Sequence, residues 1–231
     1  MTFETYYDKH WLPLGSYLSH HRKRFLQTWA SLSDHLTKHA GTVLDVGGVG
    51  PIGAYLATLG WTTLESKVDL RGPLPFMADL FDLVLCTETI EHIKDIESSA
   101  ISDLEAFNYS GVRNMLRELH RVLRPNGYLL ITTPNASSLH TLSKWLHGEV
   151  LLMDPGHVRE FTPLELRRIV EGCGFEQHDS RIVDSWSPGS LISEASLRSM
   201  LRLHRNFAAV SRQDNIISIY RLDPSLTKND A

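Results

Sequence analysis

Apolar residues along the chain follow two different rhythms. Near the start, Leu18, Phe25, Trp29, Leu32 and Leu36 recur at spacings of three, four and seven, which predicts a helix over about residues 14–39. A strand–helix alternation then begins. "TVLDV" (42–46) is a short β-rich run that ends at glycines, and "PIGAYLATL" (51–59) reads as a helix with Pro51 at its first position and Gly60 at its stop. "WTTLE" (61–65) predicts a second strand, and "FDLVLC" (81–86) is an apolar run of the kind buried in a parallel sheet. Val112, Met115, Leu116, Leu119, Val122 and Leu123 mark one face of a helix over about 111–124. "RPNG" (124–127) reads as a turn and "YLLITT" (128–133) as the next strand. At Thr162 a further helix is announced by an N-cap, Pro163 at the first position and Glu165 at the third, with Phe161 and Leu166 spaced as a hydrophobic staple. Two late strands are expected near 176–184 and 215–222.

This order predicts an α/β fold, a doubly wound, Rossmann-like, mostly parallel sheet with a late antiparallel strand. The span from Glu65 to Phe81 is too short for a helix and a strand, so the third strand and that edge of the sheet are expected to be abbreviated. Residues 1–40 read as a helical cap on the main domain, 41–224 as that domain, and 225–231 as a polar tail. A basic amphipathic helix is expected over 193–210. Ligands of such sheets sit at the carboxyl ends of the strands, which directs attention to the loops after Val46, Glu65, Cys86 and Thr133.

Composition narrows the function. The 231 residues are 42% hydrophobic and 22% charged, an ordinary globular balance, and the net charge of −4 argues against a nucleic-acid partner. The single basic run, "HHRKR" (20–24), reads as a solvated helix face. Cys86 and Cys173 form no C-x-x-C pair, and the twelve histidines show no metal-ligand spacing, so no metal is expected. The N-terminus lacks a secretory pattern and no apolar stretch approaches the ~20 residues needed to span a bilayer, which predicts a cytoplasmic protein without stable membrane insertion.

The most informative stretch is "TVLDVGGVGPIGAYLATLG" (42–60). Gly48, Gly50 and Gly53 match the G-x-G-x-x-G of dinucleotide-binding folds. That match implies a pyrophosphate at the helix N-terminus. Asp45 opposes this, because like charges ~4 Å apart cost ~4 kcal/mol at an effective dielectric of ~20. A cationic nucleoside suits that carboxylate better.

Three further segments, "FDLVLCTETIEHI" (81–93), "LHRVLRPNGYLLITTPN" (119–135) and "HVREFTPLELRRIVEGCGF" (157–175), follow the acidic glycine loop. Together they resemble class I S-adenosylmethionine-dependent methyltransferases, nearest to the type-11 small-molecule group, over about residues 40–180. The resemblance implies S-adenosylmethionine as cofactor and 41–224 as its domain. It places Asp45, Gly47, Gly48 and Gly50 against the methionyl part and Glu65, with Asp69 as second candidate, on the ribose. It gives Asp69 to the adenine amino group and sets Cys86, Thr87 and Glu88 along the cofactor. The loop departs from the family pattern at Val49, where a glycine is common, and by one extra residue. The segment 95–114 is longer than the usual link.

An acceptor hydroxyl benefits from a general base, most often histidine. The candidates are His157 in "DPGHVREF" and His92 in "IEHI", with His140, His147 and Glu91 behind them. The strand at 81–86 is followed by "CTET" and not by the N/D-P-P-Y/F of amino-directed enzymes on adenine or glutamine. A small-molecule acceptor, hydroxyl before amine, is therefore expected, and the inserted segment leaves a homodimer open. Tyr6, Tyr7, Trp11, Trp145 and Trp186 are available to line an acceptor pocket or to pack a core. Two alternatives stand beside this reading: an NAD(P)-dependent oxidoreductase using the glycine match, and a non-catalytic scaffold that keeps the fold.

Overall fold

A computed structural model describes residues 1–36, 40–96, 109–185 and 211–222, together with positions 195, 196, 199 and 202. Trp186, the polar tail, most of the insertion and most of the expected basic helix over 193–210 lie outside the described residues.

The strands are β1 (Thr42–Val46), β2 (Thr62–Ser66), β3 (Phe81–Thr87), β4 (Leu123–Pro134), β5 (Phe175–Val183) and β6 (Asn215–Leu222). They form one sheet in the order β2-β1-β3-β4-β6-β5. The pairings β1/β2, β1/β3 and β3/β4 are parallel, and β6 runs antiparallel to both of its neighbours. This is the doubly wound, mostly parallel sheet with one late antiparallel strand that the sequence predicts.

Alternation along the strands sorts the helices onto two faces. Leu44, Val46, Val84, Cys86, Leu129, Ile131 and Tyr220 share a core with α5 (Ser110–Val122) and α7 (Pro163–Glu171). Val43, Leu83, Leu85, Leu130, Ile217 and Ile219 share the other with α1 (Phe3–His10), α3 (Arg22–Ser33) and α4 (Pro51–Thr58). On α5 the stripe Val112, Met115, Leu116, Leu119 and Val122 is buried as expected. On the opposite face, Phe3 sits between Trp29 and Tyr55, with ring centroids 5.2 Å from each.

The abbreviated edge is also observed, since residues 67–80 contain no strand and β2 closes the sheet on that side. The segment is instead pinned to α5. Leu74 N–H donates to Glu118 Oε2 at 2.7 Å, and Arg121 donates to the carbonyls of Leu74 and Phe76. The capping box on α7 forms in full: Glu165 N–H donates to Thr162 Oγ1 and Thr162 N–H to Glu165 Oε2.

Three local expectations change. The single helix over 14–39 is divided into α2 (Ser16–His20) and α3 at His21, while α1 precedes both. The division follows from tertiary pairing, because Arg22 turns back to bind Asp8 at 2.6 Å and Glu4 at 2.7 Å on α1. The "RPNG" turn lies inside β4 as a bulge: Leu123 pairs with Phe81 and Tyr128 with Leu83, while Asn126 takes φ 65. The stretch around 139–146, with no element expected, holds α6 (Leu139–Leu146), capped by Ser138.

Leu116 is fully buried on the α5 stripe. Leu116→Ala is expected to lower unfolding free energy by about 2–5 kcal/mol, read from denaturant melts.

Candidate active site

Parallel strands bring β1, β2 and β3 to a common carboxyl edge, where Asp45 lies in register with Glu65 and Leu85. Beyond β1 the chain turns through Gly47 (φ 88) and Gly48 (φ 139), conformations that side-chain-bearing residues rarely adopt. A Cβ added at Gly47 would meet nothing within 4 Å, so the outer face of the turn is open. Gly50 then caps α4.

Asp45 is 3% exposed, and its Oδ2 accepts the Gly50 N–H at 2.8 Å. Burial pushes its carboxyl up to about 7; the Gly50 hydrogen bond opposes this rise and the Glu65 charge adds to it. Among the described residues its partner is thus a backbone N–H and not a cation. A Cβ at position 53 would stand 2.3 Å from Asp45 Oδ2. The last glycine of the G-x-G-x-x-G match is accordingly required by the buried carboxylate, which accounts for it without a pyrophosphate. Val49, which stands where a glycine is common, is 37% exposed and donates its N–H to Glu65 Oε2 at 3.2 Å. Glu65 Oε1 also pairs with Lys67 at 2.8 Å.

Asp69 stands further out, gripped by the Nε and Nη2 of Arg71 and by the Arg71 N–H. That grip holds its carboxyl down to about 2. A cleft of about 500 Å³ opens between Asp69, Arg71, Gly72 and the segment Lys94–Ile96.

After β3 the expected residues divide. The Cys86 side chain is fully buried in the core, and burial pushes its thiol up. Thr87 is half-buried. Glu88 adopts φ 49 and directs its carboxylate to three protein partners: Thr132 Oγ1 at 2.8 Å, Asn215 Nδ2 at 3.0 Å and Arg24 Nη1 at 3.1 Å. Arg24 corrects the reading of "HHRKR" as a solvated face. His20 and Lys23 are exposed, but Arg24 is 6% exposed and reaches the site, with Tyr17 Oη at 3.1 Å on its other side. Its register with Thr28 and Ser31, both buried at helical spacing, is the signal that could have found it.

The acceptor-side candidates come together. Glu91 is fully buried, its Oε2 accepting from Thr133 Oγ1 at 3.0 Å. Its carbonyl accepts the N–H groups of Val158 and Arg159, hanging the 154–160 loop on the edge of the sheet. The His92 and His157 rings lie 4.9 Å apart. His92 Nδ1 bonds the Gly156 carbonyl at 3.1 Å, and His157 Nδ1 bonds Glu160 Oε1 at 2.6 Å. Glu160 was not singled out by sequence reasoning; only its i,i+3 spacing from His157 hints at it. His147 Nδ1 is engaged by the Ser143 carbonyl on α6, and His140 also lies on α6, outside this group. Of the aromatic candidates, Tyr6 and Tyr7 are core, Trp11 packs against that core, and Trp145 is 62% exposed.

A family model described as a methyltransferase domain matches residues 17–179. The chain belongs to this methyltransferase family. The match begins within α2 and so takes in α3 and Arg24. A curated protein of Mycolicibacterium smegmatis, described as a probable S-adenosylmethionine-dependent methyltransferase, is 30% identical over 118 residues. That match spans 49% of this chain and 37% of the relative. Among solved structures, a SAM-dependent methyltransferase of Thermotoga maritima aligns with TM-score 0.55 at 17% identity, covering 96% of this chain and 98% of that one. The 1,6-didemethyltoxoflavin-N1-methyltransferase of Burkholderia thailandensis, solved with S-adenosylhomocysteine, aligns with TM-score 0.54 at 16% identity, covering 94% and 84%. These two likenesses establish the fold of the methyltransferase.

The Asp45 carboxyl gives the methyltransferase a testable pH signature. A folded-state pKa of about 7 against an ordinary value of 3.8 means that the folded protein binds the extra proton. The associated stability is full below about pH 4 and is lost as pH rises through about 7. Asp45→Asn keeps an acceptor for Gly50 and removes the charge. Urea melts of the ligand-free protein at pH 8 are expected to show Asp45→Asn more stable than the parent, by up to about 4 kcal/mol, with the difference vanishing near pH 4.

Proposed function

We propose that the protein is an S-adenosylmethionine-dependent methyltransferase that transfers a methyl group to a hydroxyl of a small-molecule acceptor. The observation that carries this reading is Asp45, a carboxylate buried beneath an open glycine turn with a backbone N–H and no cation as its partner. The residues present fit such a cofactor. The turn leaves room where a Cβ would stand at Gly47, and Glu65 lies beside Asp45 at the same level of the sheet. The description of the Mycolicibacterium relative and the S-adenosylhomocysteine in the Burkholderia structure agree with it.

Bound there, S-adenosylmethionine supplies an electrophilic methyl carbon on a cationic sulfur. Asp45, Gly47, Gly48 and Gly50 would hold its amino-acid end, the carboxylate offsetting positive charge. Glu65 would accept from the ribose hydroxyls in place of Lys67. Asp69 would accept from the adenine amino group, and the edge formed by Cys86, Thr87 and Glu88 would border the cofactor through its backbone. The Arg24–Glu88 pair positions that edge.

His157 and His92 stand on the acceptor side. The Glu160 carboxylate fixes the His157 ring with Nδ1 as donor, leaving Nε2 with a lone pair for chemistry on the acceptor oxygen. Holding that oxygen in line with the methyl carbon is worth ~7–11 kcal/mol in favourable cases. Exposed Val158, next to His157 in the loop, favours an acceptor with an apolar portion.

Thermal melts with S-adenosylhomocysteine and with NADH test the cofactor. At one hundred times its dissociation constant, S-adenosylhomocysteine is expected to add ~2.7 kcal/mol and raise the midpoint by roughly 5–10 °C, while NADH leaves it unchanged. A shift with NADH alone would overturn the reading in favour of an oxidoreductase, and a shift with neither would favour a non-catalytic scaffold.

A further inference from the structure

The acceptor-side residues have a geometry that a single general base does not need. One carboxylate oxygen of Glu91, one ring nitrogen of His92 and one of His157 all lie within 4.8 Å of one another. Both histidines have Nδ1 against an oxygen that can only accept, the Gly156 carbonyl for His92 and the Glu160 carboxylate for His157. Each Nδ1 therefore carries a proton, and the neutral form of each ring keeps its lone pair on Nε2. Metal-ligating histidines are oriented in this way, the second nitrogen donating to a carbonyl or carboxylate.

Glu91 supplies an independent observation. It is fully buried, Thr133 satisfies Oε2, and among the described residues Oε1 has no hydrogen-bond partner. A buried carboxylate oxygen without a partner is costly and calls for a positive group. Arg24 is the nearby cation, but its ion pair is with Glu88.

We propose that Glu91, His92 and His157 form a three-ligand site for a divalent transition-metal cation at the acceptor side of the methyltransferase cleft. Two imidazole nitrogens and one carboxylate suit zinc, cobalt, iron or manganese better than magnesium or calcium, which prefer all-oxygen sets. Bonds of ~2.0–2.2 Å require the three atoms to draw together by roughly 1 Å. The exposed His92 ring has the freedom to do so. Three protein ligands leave coordination positions open toward solvent, where an acceptor oxygen can enter.

With the ion bound, the His157 Nε2 lone pair is on the metal and no longer takes the acceptor's proton, so the ion replaces His157 as the activating group. An acceptor hydroxyl bound at the open position breaks its O–H bond more readily, the electron pair staying on oxygen and the proton leaving to solvent. That oxygen pair then forms the bond to the methyl carbon as the carbon–sulfur bond breaks and its pair passes to sulfur. This last step rests on the methyltransferase reading, whereas binding of the ion does not. An acceptor with two adjacent oxygens would fill two open positions, so a vicinal diol or catechol is the class this site selects. The histidine spacing gives no hint of the site because Glu91–His92 and His157 meet only when the 154–160 loop hangs on the Glu91 carbonyl.

The untagged full chain, stripped with chelator and desalted, is titrated with Co²⁺ by visible absorption and with Zn²⁺ by calorimetry. The expected result is one equivalent of each, with d–d bands for Co²⁺. His92→Ala and His157→Ala are each expected to weaken binding by more than about 100-fold, and Glu160→Gln by about 10–100-fold. S-adenosylhomocysteine affinity should stay within about twofold in His92→Ala, whose ring is exposed, which shows that the variant is folded. Absence of saturable Co²⁺ binding, or equal affinity in the His92→Ala/His157→Ala double variant, would overturn the site. Co²⁺ binding without S-adenosylhomocysteine binding would leave the ion site standing and remove the methyltransferase reading.

Discussion

Removal of carboxylates from water at the carboxyl edge of the sheet is the constraint on which the site depends. Asp45 and Glu91 are buried and Glu88 is nearly so. Each ion withdrawn from water costs several kcal/mol unless a positive or donating group meets it. Glu88 is met by Arg24, Thr132 and Asn215. Among the described residues Asp45 has one backbone N–H, and Glu91 has the Thr133 hydroxyl on one oxygen and no hydrogen-bond partner on the other. One of the three is paired with a cation of the protein, Arg24. The proposed cationic nucleoside over Asp45 and the proposed metal cation beside Glu91 would meet the other two by the same physics.

The N-terminal helices gain a role from this view. Their aromatic residues cover one face of the sheet, and Arg24 reaches its carboxyl edge. Arg24 bridges the helical cap to Glu88, and Glu88 in turn ties β3 to β4 and β6 through Thr132 and Asn215. Glu88 holds a positive φ at this junction, a conformation that persists because three partners over-determine it. The cap is in this sense part of the site's support, which agrees with a family match that starts at residue 17.

Much of the fold was legible because it follows local rules. The glycine stops, the apolar stripe of α5 and the capping box of α7 each depend on residues within one or two turns, and all are found where the sequence places them. The short span before Phe81 disclosed the missing strand by length alone. Asp45 was legible as an oddity of charge. Features set by distant partners were not. The division at His21 depends on Arg22 reaching α1, and the burial of Arg24 depends on Glu88 arriving from β3. The β4 bulge is fixed by where Phe81 and Leu83 pair. Glu160 gains meaning only once its carboxylate meets His157 Nδ1. The candidate histidines were visible in the sequence, but their mutual approach was not.

The most direct test of a carboxylate held ready for a ligand cation is the proton balance of binding. S-adenosylmethionine is titrated calorimetrically at pH 7 in two buffers of different ionisation enthalpy. With its carboxyl near 7, Asp45 is about half protonated before binding, and a cation placed beside it drives that proton off. The account predicts one-to-one binding with net release of about half a proton per site. Binding with no proton release, or with uptake, would contradict it.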